Sequence, residues 1–108
     1  MKEIKAFIRP HKLSAVTIAL HEVLGIHSVS VTDCRGLVHA SWKVEHHRDL
    51  AELEDYYPHI KIEILCGDEA VDRLVSAIQE NSHTGVKGDG IIYVSDVEKV
   101  TRISTGTT

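Results

Sequence analysis

Two β-α-β runs of similar length, each with an apolar helical stripe between strand-like segments, predict an α+β fold. Read in order they give a ferredoxin-like βαββαβ sandwich, with both helices on one face of an antiparallel sheet. A third observation concerns the join between the halves. From Gly36 to Pro58 neither the helical nor the strand period persists, so a long loop, 37–58, is expected between strands 2 and 3. The 108 residues are then one domain, 1–108, long enough for a single core and too short for two.

Ile4 to Arg9 reads as the first strand, closed by Pro10. Leu13, Val16, Leu20 and Val23 recur at helical spacing, and Gly25 stands where a glycine ends a helix. His27 to Arg35 is rich in β-branched residues and forms the second strand. His59 to Cys66 alternates cleanly, with Ile60, Ile62 and Ile64 on one face and Lys61 and Glu63 on the other, a half-buried strand. Gly67-Asp68 caps a second helix with the stripe Val71, Leu74, Val75 and Ile78, ending near Asn81. A glycine loop, the strand Ile91 to Val94 and a short strand-like tail from Val100 to Ile103 complete the chain. Literal alternation leaves Phe7, Val29, Val31 and Leu65 on the sheet face away from the helices, and such a bare face predicts association with further copies.

Composition narrows the function. A formal charge of −4 argues against nucleic acid as the partner. No apolar run approaches the ~20 residues of a membrane span, and the opening Met1-Lys2-Glu3-Ile4 reads as strand and not as a signal peptide. If strands 2 and 3 pair across the loop, with Arg35 near His59, Cys34 and Cys66 lie too far apart for a disulfide. A reducing cytoplasm is therefore expected. No nucleophile–base pair or carboxylate dyad at catalytic spacing stands out, so no enzyme and no catalytic cofactor is expected.

The chemistry concentrates in His83-Thr84-Gly85-Val86-Lys87-Gly88-Asp89-Gly90, where three glycines and a lysine fall within six residues. The composition suits phosphate, yet the next residues are strand formers and no helix N-terminus follows. Successive backbone N–H groups of such a loop form an anion-binding nest without a helix dipole. The competing reading is a tight turn between helix and strand. For Lys87 and Arg102 the competing reading is solvated surface charge, and for Glu63 a polar outer face. The eight histidines form no chelating pattern. His46 and His47 are adjacent and point apart, so no metal site is assigned. Trp42, in the polar loop, either anchors an interface or folds back onto the domain.

The element order, the long central loop and Thr84-Gly85-Val86-Lys87-Gly88-Asp89-Gly90 together resemble the PII signal-transduction family. The likeness extends to the opening stretch through Pro10-His11-Lys12-Leu13, to Val31-Thr32-Asp33-Cys34-Arg35-Gly36, to Lys61-Ile62-Glu63-Ile64 and to Arg102-Ile103-Ser104-Thr105-Gly106. It implies a homotrimer whose inter-subunit clefts bind adenine nucleotides (ADP, AMP or ATP) as effectors, and whose central loop docks onto a transporter or enzyme. Carried over position by position, Gly88, Asp89 and Gly90 would lie along the phosphates, with Lys87 nearby and Arg102 reaching from the neighbouring chain. Arg35, Gly36, Glu63, Ile64 and Leu65 would surround adenine and ribose, with Ser30 behind.

This chain departs from the family pattern at telling positions. Ile91 replaces the lysine or arginine that usually follows the glycine-aspartate-glycine, and Ser104 replaces a second tail arginine. Ala40 stands for the loop glutamine that helps hold magnesium and 2-oxoglutarate, and Glu52 for the tyrosine that is uridylylated. The resemblance thus implies a sensor that favours AMP or ADP and does not read 2-oxoglutarate. Family members with similar departures accompany inorganic-carbon uptake, which makes bicarbonate a candidate second ligand at Arg35, His59 and Lys61. Others accompany heavy-metal efflux, and a metal-binding trimer is the alternative. Loop 37–58 is expected to gain order when ligands bind.

Overall fold

A computed structural model of the chain describes residues 1–36, 57–86 and 88–107. Ala40, Trp42, Glu52, His39, His46, His47 and the expected ordering of the loop lie outside the described residues, as does Lys87. The described elements are β1 (Lys2–Ile8), α1 (Leu13–Leu20), β2 (Ile26–Gly36), β3 (Tyr57–Cys66), α2 (Val71–Ser82) and β4 (Gly90–Asp96). The strands form one sheet in the order β2-β3-β1-β4, every pair antiparallel. That order and the two helices give the ferredoxin-like α+β sandwich read from the sequence.

The core lies between the helices and one sheet face. Ile4, Ala6 and Ile8 of β1 alternate inward, and Ile60, Ile62, Ile64 and Cys66 of β3 do the same beside them. Val16 and Leu20 of α1 and Leu74 and Ile78 of α2 close the layer from above, at the helical spacing expected. Helix α1 is shorter than its stripe. Past Leu20 the chain tightens into three-residue bonds, Glu22 N–H to the Ala19 carbonyl and Val23 N–H to that of Leu20. Val23 still packs on the core, while Gly25 serves the turn into β2 and not the helix end. Asp68 is no side-chain cap; its Oδ1 lies 2.9 Å from the Met1 nitrogen.

Strand β2 corrects two expectations. A register shift between Ile26 and Ser28 inserts one residue opposite β3, so alternation counted from Ile26 reverses. Val29 and Val31 therefore stand opposite Ile64 and Ile62 on the helix face, 43% and 48% exposed at its edge, and not on the open face. The pairing of β2 with β3 is also one residue from that expected: Cys34 faces His59, and Arg35 faces Pro58. Cys66 lies opposite Ile26. Seven residues of strand separate it from the Cys34 position, ~23 Å at ~3.3 Å per residue, and both thiols are free. Burial pushes the Cys66 thiol above its ordinary value.

The open face is mixed. Lys5 faces Glu63 across β1 and β3, and Lys61 Nζ stands 3.5 Å from Glu63 Oε1 along β3. Towards the β4 edge Phe7 stacks on Tyr93, ring centres 6.2 Å apart, beside exposed Ile91. The tail from Val100 to Ile103 is not a strand. With no sheet edge alongside it among the described residues, it closes on itself, Arg102 N–H donating to the Thr107 carbonyl at 2.8 Å and Gly106 N–H to that of Arg102 at 2.7 Å.

Candidate functional site

The glycine loop is built where β4 begins against the end of β1. Gly90 pairs with Ile8 at φ +131°, and a Cβ on it would stand 1.8 Å from the Phe7 carbonyl oxygen. Only glycine fits so close a backbone approach at that angle. Gly88 also has positive φ, +89°, and the place its Cβ would take is 3.4 Å from Arg9 Nη2.

Asp89, between these glycines, organises the turn. Its Oδ2 accepts the Thr84 N–H at 2.8 Å and the Gly85 N–H at 3.1 Å. Its Oδ1 accepts the Thr84 hydroxyl and, at 3.2 Å, Arg9 Nε–H. His83 Nδ1 lies 3.5 Å from Oδ2. Thr84 Oγ1 in turn accepts the Val86 N–H at 3.1 Å. The Thr84 hydroxyl, then the backbone N–H groups and Arg9, hold the Asp89 carboxyl well below the usual carboxylate range. So engaged, the carboxylate fixes the loop and itself takes up the Thr84 and Gly85 N–H groups.

A consequence is acid sensitivity. A depressed carboxyl value adds stability that is fully present above the unfolded value, near ~3.9, and is lost as pH falls below it. Asp89→Asn removes that charge with little change of shape. The melting temperature of the unmodified protein is therefore expected to drop further than that of Asp89→Asn between about pH 5 and pH 3. Parallel curves for the two proteins would contradict the role given to this carboxylate.

The other expected site residues fall into separate groups. Ser30 faces Glu63 directly on the open face, and Leu65 shares that face. The Ile64 side chain points into the core at 1% exposure, so only its backbone is available to a ligand. Arg35 and Gly36 end β2, near the glycine-loop end of the sheet but at its opposite edge, three strand spacings or ~14 Å away. His59 and Lys61 lie on the open face, His59 only 3% exposed, whereas alternation turns Arg35 to the other face. The three candidates for a small anion therefore do not converge.

Arg102 lies at the far end of the sheet. It lines an open cleft of about 780 Å³ with Leu65, His27, Lys99 and Thr107. Gly90 and Asp96 bound β4, and six steps along a strand span ~20 Å. Within one chain the glycine loop and Arg102 are thus held apart. Sequence reading passed over Arg9, which the structure places on the loop. Its signal was available in hindsight: it follows β1 by one residue, and the register Ile8–Gly90, continued by one, sets it opposite Asp89. Among the described residues no group of three His, Cys, Asp or Glu side chains gathers to hold a metal.

Comparison with known proteins covers the whole architecture. A family model described as "Nitrogen regulatory protein P-II" matches residues 1–107. The nitrogen regulatory protein P-II of Azospirillum brasilense is 44% identical over 106 residues, 98% of this chain and 94% of that protein. That of Bradyrhizobium diazoefficiens is 42% identical over the same shares. The nitrogen regulatory protein P-II 2 of Methanothermobacter thermautotrophicus is 44% identical over 98% of this chain and 91% of its own.

Proposed function

Given that the chain belongs to the nitrogen regulatory protein P-II family, whose members are signal-transduction regulators and not enzymes, we propose that it is a homotrimeric cytoplasmic sensor of adenine nucleotides. AMP or ADP, in preference to ATP, binds in clefts between subunits, and loop 37–58 relays the bound state to a transporter or enzyme.

The observation that carries this reading is the separation of the two halves of the site. The glycine loop and Arg102 stand at opposite ends of β4, ~20 Å apart along the strand. One phosphate chain cannot reach both in a single subunit, whereas in the proposed trimer one loop would meet the next chain's Arg102. The open face, with Phe7, Leu65, Ile91 and Tyr93 beside paired charges, supports association of copies. Bicarbonate as second ligand keeps only Lys61 and His59 on one face. The metal-binding alternative has no ligand cluster among the described residues to favour it.

Two measurements test this. Light scattering is expected to give three times the 12.0 kDa chain mass at micromolar concentration, and a monomer would end the cleft reading. Calorimetric titration with AMP and ADP is expected to show saturable binding, and zinc or copper binding without any nucleotide binding would favour the alternative.

A further inference from the structure

Beside the glycine loop the structure sets a cation that the loop's own sequence does not contain, Arg9 from the end of β1. Continued by one residue, the β1–β4 register sets Arg9 opposite Asp89, and alternation puts both on the open face with Phe7 and Ile91. The Arg9 guanidinium donates to Asp89 through Nε at 3.2 Å, while Nη2 lies against the bare Cα of Gly88. Its side chain is 29% exposed and so can be reached from solvent. A guanidinium has five donors in a planar fork, so holding Asp89 through one edge is compatible with donating to an oxyanion through another. Asp89 thereby fixes where the fork points. A Cβ on residue 88 would touch Nη2 at 3.4 Å, so the fork lies directly beside the loop backbone.

We propose that Arg9 is a phosphate-contacting residue that sets the preference of this site for the inner phosphates of a nucleotide. The inference rests on the nucleotide reading above. A phosphate seated on the Gly88–Gly90 backbone meets Nη2 from the open-face side, beside the uncharged Ile91. Because Asp89 anchors the guanidinium at the base of the loop, the fork serves a phosphate held by the glycines and cannot follow one further out.

The test compares ADP with adenosine, which has the same base and sugar and no phosphate. Charge-assisted contacts of this kind correspond to about a ten-fold loss or more when removed. Arg9→Gln is expected to weaken ADP by that factor and adenosine by less than about two-fold. Arg9→Lys, which keeps a point charge without the fork, is expected to fall between, and it carries the test alone should Arg9→Gln fail to fold. Amide resonances of Thr84 and Gly85 report whether the Asp89 bonds survive. Loss specific to ADP with those resonances in place supports the contact. Unchanged ADP affinity overturns it, and so does an equal loss for adenosine or a displaced loop, either of which would leave Arg9 only a structural role. If the unmodified protein binds neither ADP nor AMP, the nucleotide reading itself falls and this inference with it.

Discussion

Replacing Gly90 with alanine is expected to cost about 2–6 kcal/mol, the sum of left-handed strain and overpacking against backbone. Folded domains are stable by only ~5–15 kcal/mol, so the variant should lie at or near unfolding. The reason is specific. At φ +131° an alanine Cβ would stand 1.8 Å from the Phe7 carbonyl oxygen, and that atom belongs to the central strand β1 and cannot swing away. Gly85→Ala offers the contrast, since its φ is +83° but nothing among the described residues lies within 4 Å of its Cβ position. That variant should lose only ~1–2 kcal/mol. Urea unfolding of the two proteins distinguishes them. Equal midpoints would mean that β4 does not enter the sheet as described.

The second large effect is on nucleotide choice. In the proposed cleft, Ile91 and Ser104 put no cation at two positions on the rim, and the glycine loop, Arg9 and a neighbouring Arg102 would serve the inner phosphates. Each absent charge-assisted contact forfeits about 1.5–3 kcal/mol, so a triphosphate adds charge and finds little to meet it. ADP or AMP is expected to bind at least as tightly as ATP, and 2-oxoglutarate is not expected to raise ATP affinity. Introducing Ile91→Lys and Ser104→Arg together should strengthen ATP selectively. Calorimetry that found magnesium-ATP bound ten-fold more tightly than ADP by the unmodified protein would refute this account of the rim.

Which parts of this molecule were legible in the sequence follows from which forces are local. The alternation of His59 to Cys66 and the stripe of Val71 to Ile78 are periodic in a single element, and β3 and α2 appear where those periods stand. The slip in β2 has a non-local origin. The extra residue near His27 is visible only against β3, and it exchanged the faces of Val29 and Ser30. The tail misled in the same manner: Val100 to Ile103 has strand-like residues, but a strand needs a neighbouring edge and the tail has a turn instead. At the site, the glycines announced close backbone approach. That Asp89 would also be absorbed in holding Arg9 depended on two segments meeting, the loop and the end of β1, which no single stretch encodes.

In the proposed trimer each nucleotide is held by the glycine loop of one chain and Arg102 of another, an arrangement that subunit complementation can detect. Chains carrying Asp89→Asn, which loosens the loop and frees the Arg9 fork from its anchor, and chains carrying Arg102→Ala, which removes a charge-assisted contact worth about ten-fold, are each expected to bind ADP more weakly as homotrimers. They are co-expressed with different tags and purified as mixed assemblies. In a mixed trimer the intact loop of an Arg102→Ala chain meets the intact Arg102 of an Asp89→Asn chain. A fraction of clefts should then bind ADP with the affinity of the unmodified protein. If mixed assemblies form and bind no more tightly than either variant alone, the site is contained within one chain and the inter-subunit cleft is wrong.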